Sequence, residues 1–295
     1  MTRIATVAMN VDPRDIKANL AKIEGYIDQA AEEGVDLIVF PEMAISGYGE
    51  QGMMSFSAAD KLFFQENAEL IPEGPSTQFL IGKAQQHEMY IACGICELDP
   101  ERFNVTYNAC VLVGPEGFVG KARKVHLPLC ERLLHKSGSE FPVFDTALGK
   151  IGLQICFDIC HPEVTRTLGV KGAEIVVSPI AWPNFTRTLD DPDHKAIMVL
   201  SHARALENMV FFVTANHCNP PYEGFSQILG PTPDQVCAAT GFDEEMVVAD
   251  VDIRGEINRA RMVSMGGSDL LRDRMPHMYG TLVEESRYSM YCRAE

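Results

Sequence analysis

The 295-residue chain is acidic, with 25 Lys and Arg residues against 41 Asp and Glu residues and a formal net charge of −16. This excess of negative charge repels nucleic acids and anionic membrane surfaces, so neither is an expected partner. No apolar run is long enough for a transmembrane helix, and the first residues lack the features of a signal peptide. The nine cysteines are an odd, scattered set, which predicts reduced thiols and a cytoplasmic location.

Strand-like and helix-like patterns alternate from the start of the chain. An apolar strand at 3–9, an amphipathic helix at 13–33 and an apolar strand at 35–40 predict a βαβ unit. The turn residues from Gly114 to Gly117 separate two apolar runs and predict a β-hairpin. The other predicted elements are strands at 89–97, 106–113, 117–124, 150–156, 174–178, 210–215 and 246–252, and helices at 162–171 and 192–208. This alternation predicts a layered α/β fold.

No Pro-, Gly- or Ser-rich linker and no internal repeat divides the chain. We therefore expect one large domain over residues 1–265. The periodic pattern ends after about residue 262, and the remaining sequence is rich in Ser, Gly, Arg and Met. Residues 266–295 are expected to form a C-terminal tail that either packs on a partner subunit or is frayed, and the sequence does not decide between the two.

One cysteine stands where an apolar strand meets the start of a helix. Cys156 follows the run from Gly152 to Ile155, and Pro162 and Glu163 are typical of the first positions of a helix. The unpaired backbone N–H groups and the positive dipole end of such a helix favour a thiolate and an oxyanion beside it. Cys156 is therefore a candidate nucleophile.

Two charged residues also follow apolar strands. Glu42 comes directly after the strand at 35–40, and Lys124 closes the strand at 117–124. Ligands of open α/β sheets bind at such carboxyl ends of strands. Taken one at a time, either residue is more readily interpreted as a solvated surface charge. Whether these two residues are functional depends on whether they lie close to Cys156 in the fold.

A thiol, a carboxylate and an ammonium at three strand ends form a complete set for amide hydrolysis. Cys156 would attack the carbonyl carbon, form a thioester and release it to water. Glu42 would take the thiol proton and return it to the leaving amine. Lys124 would hold both groups and stabilise the oxyanion, with the backbone N–H after Cys156 as the second donor.

The same residues lie in segments that resemble the nitrilase superfamily of carbon–nitrogen hydrolases. These segments are Pro41-Glu42 with Gly47-Tyr48, Arg123-Lys124-Val125-His126-Leu127-Pro128, and Cys156-Phe157-Asp158 with Pro162-Glu163. The resemblance covers most of the chain and makes residues 1–265 a carbon–nitrogen hydrolase domain. It implies a four-layer α-β-β-α sandwich, a catalytic triad of Glu42, Lys124 and Cys156, no metal and no organic cofactor, and a homodimer or larger homo-oligomer of paired sandwiches.

The resemblance also implies further residues at the site. Family members carry a second glutamate shortly after the lysine, and Glu131 lies where it would fall. A second acid would position substrate or tune proton transfer, because neighbouring carboxylates disfavour each other's ionisation. Tyr48, Phe157 and Trp182 are the expected substrate-binding residues, although Trp182 fits a role as core filler equally well.

The residues after the nucleophile favour amides as substrates. Phe157-Asp158 resembles amide-cleaving branches, whereas true nitrilases usually carry tryptophan then glutamate there, and carbamoylases often have an arginine where this chain has Cys160. The expected pocket residues are apolar or aromatic: Met43, Tyr48, Trp182 and Phe185. Such a pocket disfavours a buried carboxylate, so we expect a small or mid-sized neutral amide. The alternatives are an N-carbamoyl amide, a nitrile, and an idle member that serves as a binding module.

Other sets of cysteine and histidine residues give weaker indications of a functional site. Cys93 and Cys96 spell a CxxC motif inside a predicted strand, where positions three apart face opposite sides, so neither a redox site nor a chelate is natural. Cys156, Cys160 and His161 lie close together in the sequence, but no second ligand pair with a spacing suitable for zinc appears. A papain-like site would need a histidine such as His126 or His161 as its base, and nothing in the placement of the histidines selects one. If a carboxylate-bearing substrate is used after all, the first candidates for its counter-charge are Arg132, Arg187 and Lys195.

Overall fold

Twelve strands form two six-stranded sheets in the computed structural model, which describes residues 1–49, 55–232, 236–263 and 266–284. The strands are β1 (Thr2–Ala8), β2 (Leu37–Val39), β3 (Tyr90–Leu98), β4 (Thr106–Gly114), β5 (Gly117–Arg123), β6 (Val143–Thr146), β7 (Gly149–Leu153), β8 (Ile175–Ile180), β9 (Phe211–Asn216), β10 (Gln227–Leu229), β11 (Val236–Ala239) and β12 (Glu245–Val251). The helices are α1 (Ile16–Glu32), α2 (Ala58–Asn67), α3 (Pro75–His87), α4 (Pro162–Val170), α5 (Pro192–Asn208) and α6 (Ile253–Val263).

The two sheets are both mixed. The first has the strand order β12-β1-β2-β3-β4-β5, and the second has the order β11-β10-β9-β8-β7-β6. β1 and β2 are parallel neighbours joined through α1, which confirms the predicted βαβ opening. β4 and β5 are antiparallel, and Gly114 pairs with Gly117 at their turn, which confirms the predicted hairpin.

Apolar side chains hold four layers together. Leu37 of the first sheet shares a buried cluster with Leu153 of the second, together with Leu168 of α4. Ile27 of α1 and Leu80 of α3 belong to another cluster, on the opposite face of the first sheet. The predicted α-β-β-α sandwich is therefore confirmed. Within the described part of the chain, no helix is long and apolar enough to cross a membrane.

Several elements differ from the sequence predictions. The patterns predict none of α2, α3, α6, β6, β10 or β11. The predicted strand at 150–156 is wrong at its end, because β7 stops at Leu153 and residues Cys156–Cys160 form a 3-10 helix. The buried face of α3 is made mostly of small or polar residues, which hides its amphipathic pattern: Ser76, Thr77, Leu80 and Ala84.

The described part of the C-terminal tail lies against its own chain. Residues 270–282 contribute one side of a groove whose other side is formed by α4 and α5. Asp269 also pairs with Arg261 of α6 at 3.6 Å. Residues 285–295 lie outside the described residues. The boundary between a domain over residues 1–265 and a tail therefore stays a prediction.

Candidate active site

Two strands of the first sheet deliver Glu42 and Lys124 to the same edge. β3 is parallel to β2 and antiparallel to β4, which is antiparallel to β5, so β5 runs in the same direction as β2. Glu42 lies in the loop after β2, and Lys124 directly follows β5. The Nζ of Lys124 is 2.7 Å from Oε1 of Glu42, and both side chains are fully buried.

The loop that carries Glu42 lies directly on β3. The N–H of Gly94 donates to the carbonyl of Pro41 at 3.1 Å, and the N–H of Ile45 donates to the carbonyl of Gly94 at 3.3 Å. A Cβ at position 94 would overlap Met43 N and Pro41 O, so glycine is required beneath the loop. Met43 has a φ of 49°, which costs free energy in a residue other than glycine. The backbone around Glu42 is thus held in one strained arrangement.

The second predicted glutamate completes an ion cluster around Lys124. Glu131 lies in the 3-10 helix Leu129–Leu133, and its Oε2 is 2.7 Å from Lys124 Nζ. Its Oε1 accepts from Asn108 Nδ2 at 2.6 Å and from the hydroxyl of Tyr48 at 3.4 Å. All of these side chains are buried. Two carboxylates therefore share one ammonium away from water.

Lys124 stays charged in this buried position. Burial alone lowers the pKa of its ammonium, but Cys156, Glu131 and Glu42 together raise that pKa well above its usual value. An ammonium has three hydrogens, and Glu42 and Glu131 accept two of them. One donor of Lys124 remains for a further acceptor, such as a carbonyl oxygen that gains negative charge.

The candidate nucleophile lies in a tight backbone turn. Cys156 has a φ of 47° and begins the 3-10 helix that precedes α4. Burial raises the pKa of its thiol well above the usual value, and Glu42 raises it further, whereas Lys124 and a hydrogen bond from the Ala181 backbone lower it. α4 begins only later in the chain, at Pro162. That the helix start favours a thiolate therefore stays a prediction.

Asp158 connects the turn of the nucleophile to the segment that follows Lys124. Its Oδ1 accepts from the N–H of His126 at 2.9 Å and lies 2.7 Å from His126 Nδ1. Its Oδ2 accepts from the N–H of Ile155 at 3.2 Å. The imidazole of His161 stacks on that of His126, with ring centroids 3.7 Å apart. These contacts indicate that both histidines stabilise the turn that carries Cys156.

Tyr48 belongs to the carboxylate cluster itself. Its hydroxyl oxygen lies 3.2 Å from Asn108 Nδ2, and the side chain is buried. Its ring belongs to a small buried cluster that also contains Met43 and Tyr222. Tyr48 and Met43, two residues that were expected near the substrate, therefore lie in this buried cluster beside Glu42.

Trp182, Phe157 and Phe185 are less closely joined to this cluster. Trp182 is buried in the large core cluster, and its Nε1 donates to the carbonyl of Asp193 in α5 at 2.9 Å. This position agrees with the interpretation of Trp182 as core filler. Phe157 is half-buried against His161, and Phe185 is exposed. Contacts of these three side chains with a substrate stay predictions.

A buried polar cluster supports the loop that follows Trp182. Nδ1 of His194 lies 2.9 Å from Oε2 of Glu223, and Nδ2 of Asn184 donates to the same oxygen at 3.4 Å. Glu223 is fully buried, and burial raises its pKa to about 8. Burial also lowers the pKa of His194. Both shifts favour the uncharged forms of the two side chains.

The candidate counter-charges for a carboxylate substrate have other partners or lie at the surface. Arg187 donates to three backbone carbonyls at 2.8, 3.0 and 2.9 Å. Lys195 pairs with the exposed Asp190 at 2.9 Å. Arg132 is exposed. The hydrogen bonds of Arg187 show that it fastens three loop segments together, which is a structural use of the guanidinium.

Asn108 is the residue of the cluster that the sequence patterns do not predict. Its Nδ2 donates to Oε1 of Glu42 at 2.7 Å and to Oε1 of Glu131 at 2.6 Å. The signal in the sequence is an amide side chain within the otherwise largely apolar run of β4. A polar side chain buried in a strand requires hydrogen-bond partners, so this amide itself indicates a polar site.

Cys93 and Cys96 have separate surroundings. Cys93 packs in the cluster beneath α1 and α3, and Cys96 belongs to the cluster that contains Tyr48. Burial raises the pKa of both thiols. In the described ranges, no group of three or more His, Cys, Asp and Glu side chains is arranged to hold a metal ion.

Comparison with known proteins identifies the family of this fold and site. The sequence model of the carbon-nitrogen hydrolase family matches residues 3–260, and the chain belongs to that family. It is similar to a nitrilase of Pyrococcus abyssi, with 34% identity over 286 residues that cover 95% of this chain and 99% of the relative. It is also similar to the omega-amidase NIT2-B of Xenopus laevis, with 32% identity over 269 residues that cover 85% of this chain and 89% of the relative.

Solved structures show the same architecture. Nit3 of Saccharomyces cerevisiae, a member of branch 10 of the nitrilase superfamily, matches 90% of this chain and 95% of its own with a TM-score of 0.76 and 27% identity. An amidase from Nesterenkonia sp. AN1 shares the fold, with a TM-score of 0.75 and 22% identity over 96% of this chain and 100% of its own. The predicted superfamily is therefore confirmed, and the chain is a carbon–nitrogen hydrolase with amidase-type chemistry.

Proposed function

We propose that this chain hydrolyses a small or mid-sized neutral amide to a carboxylic acid and ammonia through a thioester on Cys156. The unequal hydrogen bonding of the two carboxylates carries the proposal. Oε1 of Glu131 accepts from Asn108 and its Oε2 accepts from Lys124. Oε2 of Glu42 is buried and has no hydrogen-bond partner among the described residues. A carboxylate oxygen without a donor, close to a buried thiol, is suited to take the thiol proton.

In the proposed reaction each step moves one proton through Glu42. The thiol proton passes to Glu42 Oε2 while Sγ of Cys156 bonds to the carbonyl carbon, and the third N–H of Lys124 and the backbone N–H of Phe157 stabilise the oxyanion. Glu42 returns the proton to the amide nitrogen, the C–N bond breaks and ammonia leaves. Water then gives a proton to Glu42 and attacks the thioester, and the proton returns to Cys156 as the carboxylic acid is released.

The charges around the site support a neutral acyl group. Lys124 already neutralises part of the charge of Glu42 and Glu131. Arg204, the cation near Cys160, donates to a backbone carbonyl at 2.9 Å and to a glutamate at 2.8 Å. A substrate carboxylate would add a further negative charge to a buried site, which costs on the order of several kcal/mol without a paired cation.

A nitrile is the second candidate substrate. The nitrilase of Pyrococcus abyssi is 34% identical to this chain over 286 residues. A thiol also attacks a nitrile carbon, so the same residues would serve. N-carbamoyl amides are the third candidate class, and the engagement of Arg187 by backbone carbonyls weighs against them.

A panel of neutral amides, N-carbamoyl amino acids and nitriles, with detection of ammonia, tests the proposal. We expect the highest kcat/KM for neutral aliphatic or aromatic amides. A carbamoyl amino acid or a nitrile with a higher kcat/KM would overturn the substrate class, and no ammonia from any of them would support an idle binding module.

The nucleophile is tested separately by substitution and mass spectrometry. Cys156→Ala should abolish turnover and leave the fold intact, and an acyl adduct should appear on the wild-type peptide that carries Cys156 during turnover. Cys110→Ala is the matched control, because Cys110 is a buried thiol of the core. An acyl adduct found on another cysteine alone would overturn the assignment.

We also propose a homodimer or larger homo-oligomer and a cytoplasmic location. Pairing of sandwiches is what the family resemblance implies, and the cysteines of the described residues are all free, which fits a reducing compartment. Light scattering of the purified protein and fluorescence microscopy of a tagged chain measure the two properties directly. A monomer in solution or an export-dependent signal would contradict them.

A further inference from the structure

Asn108 is at the centre of the hydrogen bonds that distinguish the two carboxylates. Its Nδ2 lies 2.7 Å from Oε1 of Glu42, 2.6 Å from Oε1 of Glu131 and 3.2 Å from the hydroxyl of Tyr48. Its side chain is fully buried, and its Oδ1 has no hydrogen-bond partner in the part of the chain that the structure describes. An amide nitrogen carries two hydrogens, so the two shortest contacts use both.

The orientation of this amide follows from charge. Nδ2 turned toward two ionised carboxylates makes two charge-assisted hydrogen bonds, whereas Oδ1 in its place would repel them. Tyr48 donates its own hydrogen to Oε1 of Glu131 at 3.4 Å, so it does not need a hydrogen of the amide. The backbone also fixes the position, because the N–H of Lys124 donates to the carbonyl of Asn108 at 2.8 Å.

We propose that Asn108 is a positioning residue that decides which carboxylate oxygen takes the proton of Cys156. Together with Lys124 it supplies two donors to Oε1 of Glu42, which leaves Oε2 as the oxygen able to accept a proton. At Glu131 the same two residues occupy one oxygen each, which removes this carboxylate as a competing base. The inference rests on the proposed function, because the proton is one that amide hydrolysis moves.

The titratable groups that face this amide come from several elements. They are Glu42 after β2, Tyr48 in the same loop, Lys124 after β5, Glu131 in its 3-10 helix, Cys156 after β7, and His135, which interacts with Glu131 and Lys124. Burial lowers the pKa of His135 to about 4 and raises the pKa of Tyr48 and of Cys156. The shifts of Tyr48 and of Cys156 both lead away from the acid side of neutral pH.

Alkylation of Cys156 by iodoacetamide tests this role without the natural substrate. An S–C bond forms, iodide leaves and the thiol proton passes to Glu42. Asn108→Asp keeps the shape of the side chain and removes the donor. We expect it to slow alkylation at neutral pH at least ~10-fold and to move the acid limb of the pH profile upward by about one pH unit. Asn108→Leu should act in the same direction.

Cys110→Ala is the matched control, because residues two apart on β4 lie on the same face and Cys110 packs in the core. We expect its rate and pH profile to equal those of the wild type. In amide turnover the Asn108 variants should lower kcat about 100-fold and change KM little, since the loss falls on proton transfer.

Glu42→Gln separates the inference from the proposed function. Slow alkylation in Glu42→Gln, with wild-type rate and pH profile in both Asn108 variants, would overturn the role of Asn108 alone. Loss of thermal stability in those variants with an unchanged pH profile would likewise mean that Asn108 stabilises the fold and does not direct the proton. Fast alkylation in Glu42→Gln would overturn the transfer of the thiol proton to Glu42, and with it the role of Asn108. A wild-type protein that is alkylated normally but releases no ammonia from any substrate would overturn the proposed function alone.

Discussion

Each charged side chain of the site depends on the others for its free energy. Lys124, Glu42 and Glu131 are fully buried, so none of them has water to replace a lost partner. Removing one member of a buried ion cluster leaves the others uncompensated, at a cost of about 3–5 kcal/mol. Substitutions here therefore change stability as well as chemistry, and the two effects have to be measured separately.

Lys124→Ala and Glu42→Gln should each lower kcat by about 10²–10⁴-fold, the scale of losing a general base or an oxyanion donor. Lys124→Ala should also lower Tm, because it leaves two carboxylates buried without a counter-charge, whereas Glu42→Gln keeps the shape of the side chain. Steady-state kinetics and thermal melts of both variants distinguish these effects. Equal losses of Tm in the two variants would contradict this account of the cluster.

The catalytic residues should act as a unit. We expect the double variant Glu42→Gln, Cys156→Ala to be scarcely slower than Cys156→Ala, because a base has nothing to do once the thiol is absent. The measurement is residual amide hydrolysis above the rate in buffer. Multiplicative losses would mean that Glu42 contributes independently of Cys156.

At the scale of elements, the contact between β3 and the loop of Glu42 gives a sharp prediction. Gly94→Ala should lower kcat about 10²-fold or more, because its Cβ would overlap Met43 N and Pro41 O and displace the general base. Gly82→Ala is the control, since position 82 lies in α3 with no atom within 4 Å of an added Cβ. It should leave kcat unchanged and raise Tm slightly. A fully active Gly94→Ala would show that the loop tolerates the displacement.

The buried carboxyl of Glu223, beside the loop after Trp182, should make the free energy of unfolding depend on pH. Burial raises the pKa of Glu223 from 4.5 to about 8, so the folded protein holds a proton that the unfolded chain releases. The stability contributed by this group is complete below about pH 4.5 and is lost as pH rises to about 8. Glu223→Gln should therefore raise Tm relative to the wild type by an amount that grows across this range.

Thermal melts between pH 5 and 8 check this expectation. Glu66→Gln changes an exposed glutamate and is the control. Its Tm should follow the wild type at every pH. Parallel curves for Glu223→Gln and the wild type would mean that Glu223 is ionised in the folded protein.

The sequence predicts elements well where apolar periodicity and caps agree. The observed α5 matches the predicted helix at 192–208, with Asp191 as its N-cap and Pro192 in the first turn. α3 is missed because most of its buried residues are small or polar. The triad residues are predicted because they follow strands and match family segments, whereas their hydrogen bonds depend on the packing of separate strands.

The register of one hairpin explains why Asn108 is missed. A shift between Leu112 and Val113 changes the pairing of β4 with β5, so that Ala109 pairs with Arg123. The next position along then lies opposite Lys124, whose N–H donates to the carbonyl of Asn108. Without this bulge Arg123 would lie opposite Asn108 instead. The apolar pattern of the two strands does not encode such a one-residue shift.

At the scale of the whole molecule, the site depends on both sheets and the first sheet depends on a strand from the far end of the chain. β12 pairs with β1 over seven positions, from Thr2 with Val251 to Ala8 with Glu245. A chain that ends at residue 242 should therefore aggregate, because β1 is left with an open edge. A chain that ends at residue 284 should stay soluble and melt cooperatively. Solubility and cooperative melting of the shorter chain would contradict this dependence.

The pairing of β1 with β12 also has a consequence for synthesis. The ribosome releases Ala8 long before its partner Glu245 exists. At about 5–20 residues per second, translation of the intervening chain takes on the order of tens of seconds. During that time the emerging β1 presents unpaired N–H and C=O groups to other nascent chains. A lower concentration of nascent chains or binding by a chaperone should therefore raise the yield of active enzyme, even though neither changes the stability of the finished fold.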